Sequence, residues 1–425
     1  MKKGRVRARR LGVVAGLVAF ALVLAGCSEL PQATPDWPNQ VSGPLPSSIT
    51  KQLNDAVSQA MTLSGASGAI VGVWAPWSGS WTAGVGTTAV KGATPMTTSM
   101  HFRIGQVTTS MTCSVLLQMV DSGKVKLDDK VESLLPQMTG TSGTTLRQLC
   151  QNTSGIGDYT AELQPQFVDN PTRQWVPLEL VTDGMGAATP GSTTSFTQSN
   201  AGIILLGMAL QSESGQNWEQ LYDRYIFQRL GMDNSSLPTV NSLTAPAPQG
   251  YATALNTDGS PQCGTVNDVA TQSPTLSWTA GGVVSNLSDL KEYSEALASG
   301  ALLSKGTAKA QWSTVPMGSP VPSWQTWGLG AQQFGPLRGQ VGDVPGFLTA
   351  MMSDPTSGLT VVVMLNNSSA GSSFIQNLGL KLATIASTAP AKAGKAGKAP
   401  SISLPWTADQ TDAAMKAAAV CQPAH

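Results

Sequence analysis

The sequence has few charged residues and almost no histidine, and each shortage excludes a class of function. Only 12% of the 425 residues are charged, against about a quarter in typical soluble domains, and 25 basic residues balance 25 acidic ones. This composition lacks the basic surface that binds nucleic acid, so we expect no nucleic-acid partner. The only histidines are His101 and His425 and no C-x-x-C motif occurs, so we expect no metal site and no cofactor.

The first 27 residues have the parts of a bacterial secretion signal. A basic stretch precedes the apolar run 11–24, which is too short to predict a membrane-spanning helix. The run ends in L-A-G-C, which looks like a lipobox, so Cys27 is predicted to carry a diacylglyceryl group. We therefore expect an extracytoplasmic protein that is lipid-anchored to the cell membrane. The alternative is an ordinary secretory signal with a chance cysteine.

Composition divides the rest of the chain into four segments. Residues 28–47 contain five prolines and are predicted to form an extended tether. Residues 48–387 contain helix and strand patterns, and the length allows one large domain or two smaller ones. Residues 388–405 include A-K-A-G-K-A-G-K-A-P and are predicted to be a flexible linker, and residues 406–425 form a C-terminal tail with a short helix.

Four cysteines remain after the signal segment: Cys113, Cys150, Cys263 and Cys421. Outside the cytoplasm an even number of cysteines predicts disulfides, and four allow three pairings. The alternative is that they are buried free thiols.

Residues 101–129 read H-F-R-I-G-Q-V-T-T-S-M-T-C-S-V-L-L-Q-M-V-D-S-G-K-V-K-L-D-D and predict a buried helix that follows a turn at Gly105. Apolar residues recur at spacings of three and four around nearly the whole helix, as in a helix that other elements surround. Ser122 and Gly123 end the helix, and the charged residues after them are expected at the surface.

This stretch, with the K-V-E-S-L-L-P that follows it, resembles the β-lactamase-related serine hydrolases. The family includes class C β-lactamases, D,D-peptidases, penicillin-binding-protein-like enzymes and esterases. Its helix opens with S-x-x-K, in which the serine is acylated and the lysine helps to remove the serine proton. Here those positions are Gln106 and Thr109, and neither side chain can perform that chemistry.

Two further motif contexts carry the same resemblance. The family's Y-x-N motif corresponds to Gln198-Ser199-Asn200, so the asparagine is kept and the proton-relaying tyrosine is lost. The stretch G-Q-V-G-D-V-P-G-F at 339–347 resembles the third motif, K-T-G or H-x-G, with Gln340 at the basic position. We place it between strands 327–334 and 346–353, where Asp343 is interpreted as a turn aspartate.

The resemblance covers roughly residues 48–387 and implies one domain there. The implied fold is mixed α/β (α+β), with an antiparallel sheet flanked by helices beside an all-helical region. The resemblance implies a cleft at Gln106, Thr109, Gln198, Asn200 and Gln340. It also implies that Cys113 pairs with Cys150, because the family places their helices side by side, which leaves Cys263 for Cys421.

We interpret the chain as a lipoprotein pseudoenzyme that binds a cell-wall peptide, a small ligand or a partner protein in this cleft. Four motif positions have become neutral polar residues, and such residues can form hydrogen bonds without reacting. The ligand-binding candidates are these side chains: Gln106, Thr109, Gln198, Asn200, Gln340 and Asp343.

Two alternatives remain open. The first is an active D,D-peptidase, β-lactamase or esterase with a non-standard nucleophile, such as Ser110 or Thr109 assisted by Asp343. The chance S-x-x-K spacings at Ser48 and Ser288 are expected to serve helix starts instead. The second is an inert structural module, which predicts a cleft closed by side chains.

Overall fold

Eight antiparallel strands form one sheet that runs from one end of the domain to the other. They belong to a computed structural model that describes Met1 and residues 30–187, 195–256, 260–394 and 398–421. The strand order is β2-β1-β12-β11-β10-β9-β8-β7. The strands are β1 Gly68–Ala75, β2 Gly79–Gly86, β7 Val315–Pro316, β8 Gln325–Trp327, β9 Gln332–Phe334, β10 Leu337–Val344, β11 Phe347–Ser353 and β12 Thr360–Leu365.

Two small sheets and the helices complete the described part of the chain. The small sheets pair β3 Phe102–Arg103 with β6 Val284–Ser285, and β4 Tyr251–Leu255 with β5 Pro261–Asp268. The α-helices are α1 Ser47–Ser64, α2 Val107–Asp121, α3 Val131–Leu134, α4 Leu146–Cys150, α5 Thr160–Asp169, α6 Pro177–Gly186, α7 Asn200–Ser214, α8 Trp218–Tyr222, α9 Gln228–Leu230, α10 Trp278–Gly281, α11 Leu287–Ser299, α12 Lys305–Gln311, α13 Gly371–Ser387 and α14 Ala408–Ala417. A π-helical turn spans Asp223–Phe227 and a 3₁₀ turn spans Pro274–Leu276.

Helices cover both faces of the large sheet, which explains why its central strands are apolar runs. In β1, Val71 and Val73 face a core shared with α1 and α13, whereas Ile70 faces a second core shared with α2 and α7. Successive side chains of a strand point to opposite faces, so a strand buried on both faces must be apolar throughout. The predicted mixed α/β architecture is therefore confirmed.

The helix α2 is the buried helix that the sequence predicts. Residues 107–119 are all buried, in agreement with the apolar residues found around the helix. Gly105 turns the chain into α2 with φ +54°, and a Cβ there would lie 2.7 Å from the backbone nitrogen of Asp343. Only glycine meets both conditions, so Gly105 fixes the start of α2 against β10.

The strand prediction near the third motif was wrong. The predicted single strand 327–334 is two short strands, β8 and β9, and the motif lies inside strand β10, so Asp343 is a strand residue. The glycines suggested a turn, but they serve close packing. A Cβ at Gly339 would lie 2.0 Å from the carbonyl oxygen of Met351, and a Cβ at Gly342 would lie 2.0 Å from that of Ile104.

The tether prediction needs correction for the residues described from Leu30 onward. This segment follows the domain surface. The N–H of Ala33 donates to the carbonyl of Arg229 at 2.8 Å, and the N–H of Val41 donates to that of Pro76 at 2.9 Å. Leu45 is buried in the core beside α1. The prolines make the segment extended, but backbone hydrogen bonds hold it against the domain.

Two disulfides are present, with the pairing that the family resemblance implies. Cys113 of α2 pairs with Cys150 of α4, and Cys263 of β5 pairs with Cys421. The second bond holds the C-terminal tail, whose helix α14 packs on α13. No helix in the described ranges is long and apolar enough to cross a membrane. Cys27 lies outside the described residues, so its lipidation stays a prediction.

Candidate ligand-binding cleft

A cavity of about 930 Å³ opens between β10, the N-terminus of α2 and the C-terminal tail. We call it the cleft. All six residues predicted to line a site contribute to its wall: Gln106, Thr109, Gln198, Asn200, Gln340 and Asp343. A volume of this size accommodates a small organic ligand or a short peptide. The closed cleft expected of an inert module is therefore not observed.

The cleft wall on the sheet side is an unpaired part of β10. Strand β9 pairs only with Leu337–Gly339, whereas β11 pairs with β10 along its whole length. Residues 340–344 therefore have a strand neighbour on one side only. The other side faces the entrance to α2, where a Cβ at Gly342 would lie 3.0 Å from the nitrogen of Gln106. An unpaired strand edge presents backbone donors and acceptors to a ligand.

The side chain of Gln106 accepts a hydrogen bond from one of the backbone N–H groups on this edge. Its Oε1 accepts a hydrogen bond from the backbone N–H of Asp343 at 2.7 Å. A backbone N–H at this point, beside a helix N-terminus, has the geometry that stabilises a developing negative charge on a carbonyl oxygen during acyl transfer. In this protein that N–H already donates to the carboxamide of Gln106.

Thr109 lies one turn into α2 and is almost fully buried. Its Oγ1 donates a hydrogen bond to the carbonyl oxygen of Ala280 at 3.0 Å. The neighbouring Ser110 does not line the cleft. Its Oγ donates to the carbonyl of Val107 at 2.7 Å and accepts from the hydroxyl of Tyr293 at 3.0 Å. Both hydroxyl groups therefore have structural partners, and neither is paired with a carboxylate.

Gln198 and Asn200 lie on the helical side of the cleft, and only Gln198 is exposed. Asn200 begins α7, and its Nδ2 donates to Oγ1 of Thr160 at 2.9 Å. The backbone N–H of Asn200 donates to Oδ2 of Asp158 at 2.8 Å, and Oδ1 of Asp158 accepts the N–H of Thr160 at 2.7 Å. Asp158 therefore joins α5 to α7 through backbone hydrogen bonds.

Asn152 holds the loop that precedes α7 through hydrogen bonds. Its Oδ1 accepts the backbone N–H of Ser199 at 3.2 Å, and its own carbonyl accepts the N–H of Thr197 at 2.7 Å. Asn152 has φ +54°, a left-handed conformation that asparagine tolerates better than most residues. It therefore positions the loop that carries Gln198.

Gln340 belongs to a chain of four hydrogen-bonded glutamines. Its Oε1 accepts from Nε2 of Gln332 at 3.0 Å, and Oε1 of Gln332 accepts from Nε2 of Gln325 at 2.9 Å. Gln325 and Gln376 exchange hydrogen bonds at 3.0 and 3.1 Å. The Nε2 of Gln340 donates to the carbonyl of Gly330 at 3.2 Å. No motif in the sequence signals the other three glutamines, which the short strands and α13 bring together.

Asp343 has an unusual titration in this environment. Burial raises the pKa of its carboxyl group to about 7, and a hydrogen bond from the backbone of Ser372 opposes part of that rise. Ser372 lies in the first turn of α13, and a Cβ at Gly371 would lie 3.8 Å from Oδ2 of Asp343. The carboxyl group is therefore held at the start of a helix but gains no basic partner.

The C-terminal tail forms the far wall of the cleft, a role that the sequence did not reveal. Trp406 lies before α14 and stacks on Trp324, with ring centroids 5.1 Å apart. The indole N–H of Trp406 donates to Oγ1 of Thr384 at 2.9 Å. Lys381 of α13 forms an ion pair with Asp412 of α14. These contacts and the Cys263–Cys421 bond hold the tail in place.

Comparison with known proteins agrees with this architecture. A family model described as Beta-lactamase matches residues 53–384. A D-aminopeptidase of Cereibacter sphaeroides (strain KD131 / KCTC 12085) is 32% identical over 160 residues, which cover 37% of this chain and 30% of that protein. A D-aminopeptidase of Gluconobacter oxydans (strain 621H) is 26% identical over 305 residues, which cover 68% of this chain and 53% of that protein.

The chain thus spans 30% to 53% of the length of these two relatives. Among solved structures, a D-stereospecific amidohydrolase from Streptomyces sp. superposes with a TM-score of 0.64 at 26% identity. The superposition covers 74% of this chain and 94% of that one.

Proposed function

Because this chain belongs to the beta-lactamase family, we propose that it keeps the family's cleft as a binding site and has lost acyl transfer. The observation that carries the proposal is the hydrogen bond from the Asp343 N–H to Oε1 of Gln106. Gln106 stands where the resemblance places the nucleophile, and its carboxamide fills the position of the substrate carbonyl oxygen. Gln106 therefore replaces the nucleophile, and its side chain also takes up the N–H group that would stabilise the oxyanion formed by nucleophilic attack.

The remaining motif positions support the same proposal. A general base needs a side chain that accepts a proton near neutral pH. Thr109 and Gln198 have no such group, and the carboxamide of Gln340 is already engaged by Gln332 and Gly330. The residues of an acyl-transfer site act as a unit, so the loss of several costs about as much as the loss of the nucleophile alone, about a millionfold in rate.

The cleft is suited to binding an amide or peptide. It combines carboxamide side chains with apolar walls that include Phe167, Ile203 and Leu276. The edge of β10 borders the cleft, and its Val341 and Asp343 N–H groups already donate to the side chains of Gln340 and Gln106. We propose a cell-wall-related peptide or amide as the ligand, and a partner protein remains the second candidate.

The test of lost catalysis is a pair of assays on the purified protein. We expect no covalent labelling by a fluorescent penicillin and no turnover of a chromogenic D-amino-acid ester above the rate in buffer. The matched control is the double variant Gln106→Ser, Thr109→Lys, which restores the S-x-x-K pattern and vacates the Asp343 N–H. Labelling of the double variant alone supports the proposal, whereas labelling of the unmodified protein refutes it.

The hydrolase alternative requires a reactive hydroxyl in the cleft. Of the two hydroxyl groups considered for it, Ser110 is buried away from the cleft and Thr109 donates to a backbone carbonyl. A broad serine-reactive fluorophosphonate followed by peptide mass spectrometry distinguishes the alternatives. We expect no modified residue in the cleft, and a modified Thr109 would establish the hydrolase.

We further propose that the protein is anchored outside the cell membrane through a lipid on Cys27. The lipobox-like L-A-G-C is the basis of this proposal. Expression in a bacterial host with a clickable fatty acid is expected to label the protein, and Cys27→Ser is expected to abolish labelling and release it from membranes. An unlabelled protein that still fractionates with membranes would refute the lipid anchor.

A further inference from the structure

The wall of the cleft contains no basic side chain among the residues that the structure describes. Its ionisable members are Asp158, Tyr159 and Asp343. The Tyr159 phenol stays neutral, because burial raises its pKa well above the ordinary value. A ligand with a free carboxylate would therefore meet only carboxyl groups and find no cation to pair with.

The carboxyl groups of Asp158 and Asp343 differ in the number of hydrogen bonds that they accept from the protein. Asp158 accepts hydrogen bonds at both oxygens, from Thr160 and from the backbone N–H of Asn200. Asp343 receives a backbone hydrogen bond from Ser372. A carboxylate accepts about four hydrogen bonds, so Asp343 keeps more unused acceptor capacity toward the cleft than Asp158 does.

Gln106 contributes an amide donor to the same cleft. Its Oε1 is fixed by the Asp343 N–H, which orients the whole carboxamide. Within the described part of the chain, Nε2 of Gln106 makes no hydrogen bond, so it is a donor for a ligand carbonyl. A donor for a carbonyl and an acceptor for an ammonium group thus line one cleft.

We propose that the ligand of the cleft is an amide or peptide that carries a protonated amine, and that the cleft rejects free carboxylates. This inference rests on the proposed binding function and names its ligand class. The ammonium group lies at Asp343, and the adjacent amide carbonyl accepts from Nε2 of Gln106. The apolar wall that includes Phe167 and Leu276 receives the side chain.

The proposal predicts a proton release on binding. The neighbours of Asp343 are Gln106 from α2 and Ser372 from α13, both uncharged, and Asp158 and Tyr159 are the other ionisable members of the described wall. A cation at Asp343 favours the carboxylate, so a bound amine lowers the pKa of Asp343 and expels its proton. Affinity for the amine therefore rises as the pH increases toward about 7, and it falls again when the amine itself loses its proton, near pH 8 for an α-amino group.

Three matched probes test the charge preference by calorimetry at pH 7 in low salt. At this pH D-phenylalaninamide is mostly cationic, N-acetyl-D-phenylalaninamide is neutral and N-acetyl-D-phenylalanine is anionic. We expect the first to bind at least about tenfold more tightly than the third, with the second between them. In Asp343→Asn the ratio of first to third is expected to fall below about threefold, because the local charge is gone.

A charge-matched variant separates the local effect from net charge. Asp169 is exposed at the end of α5 and does not line the cleft, so Asp169→Asn changes the net charge equally and should keep the full preference. Titrations at pH 6, where the amine is fully protonated, in two buffers of different ionisation enthalpy should show proton release on amine binding in the unmodified protein and none in Asp343→Asn.

Three outcomes overturn the proposal: equal affinities, tighter binding of the anion, or no binding of any probe up to about 10 mM. Chromatography of the same samples tests the proposed function separately. Hydrolysis of D-phenylalaninamide would refute the loss of catalysis and would not affect the proposed order of affinities of the cationic, neutral and anionic probes. A reversed order with intact amide would refute the ligand class and leave the loss of catalysis standing.

Discussion

Replacement of Asp343 by asparagine should make the protein more stable at neutral and alkaline pH. The carboxyl group lies in the cleft wall with uncharged neighbours, and burial raises its pKa from 3.8 to about 7. Burial of an unpaired carboxylate is unfavourable, and asparagine removes the charge while it keeps the shape and one acceptor oxygen.

The pKa shift fixes the sign and the size of the effect. Below pH 3.8 the group is protonated in both the folded and unfolded states, so it contributes nothing to the pH dependence. Between 3.8 and about 7 the unfolded chain has lost the proton that the folded protein keeps, so stability falls by about 1.4 kcal/mol per pH unit. Above about 7 the full penalty remains, at most about 4 kcal/mol.

Urea unfolding at pH 4, 6 and 8, with disulfides intact, measures this difference. Asp343→Asn should match the unmodified protein at pH 4 and exceed its free energy of unfolding by about 2 to 4 kcal/mol at pH 8. Other groups titrate equally in both proteins, so their difference isolates Asp343.

Asp128→Asn is a control for which we expect the opposite effect on stability at pH 8. Its hydrogen bond with Arg147 lowers the pKa of the exposed Asp128 carboxyl group, so its loss should slightly destabilise the protein at pH 8 and not at low pH. The reasoning is refuted if Asp343→Asn has the same pH profile as the unmodified protein, since the carboxyl group would then titrate normally.

Three further substitutions test other parts of the structure. Gln332→Leu should cost about 1 to 3 kcal/mol in chemical denaturation, because it removes the two buried hydrogen bonds that Gln332 makes with Gln340 and Gln325; an unchanged midpoint would mean that the glutamine chain is not formed. Gly342→Ala should lower the free energy of unfolding by about 1 to 3 kcal/mol, since its Cβ would collide with the Ile104 carbonyl, whereas Gly306→Ala, in an open part of α12, should be neutral or stabilising. Cys421→Ser should speed hydrogen exchange in α14 and weaken binding of D-phenylalaninamide, and exchange that stays slow would show that packing alone holds the tail.

The sequence predicted the fold well where local pattern and tertiary environment agree. The apolar residues around α2 and the motif contexts at Gln106, Gln198 and Gln340 gave the architecture and the lining of the cleft. The pattern failed at β10, where glycines that permit close packing look the same in sequence as glycines that make turns. Two-residue and three-residue strands such as β8 and β9 are also too short for an alternation to show.

Contacts between distant segments could not be read from the sequence. The chain of Gln340, Gln332, Gln325 and Gln376 joins three strands to a helix, and no spacing in the sequence connects them. The same holds for Trp406, which reaches the cleft only because α14 packs on α13. The pKa of Asp343 depends on burial, which a single sequence does not give.

The position of Trp406 in the cleft wall sets the order in which the molecule can mature. The strand that carries Gln340 and the helix that follows Gln106 are synthesised well before the wall that faces them. A partly synthesised chain therefore has the β10 and α2 walls without the wall that faces them. Under the proposed function, a ligand meets the complete cleft only after α14 has packed on α13, and the Cys263–Cys421 bond then holds the tail there.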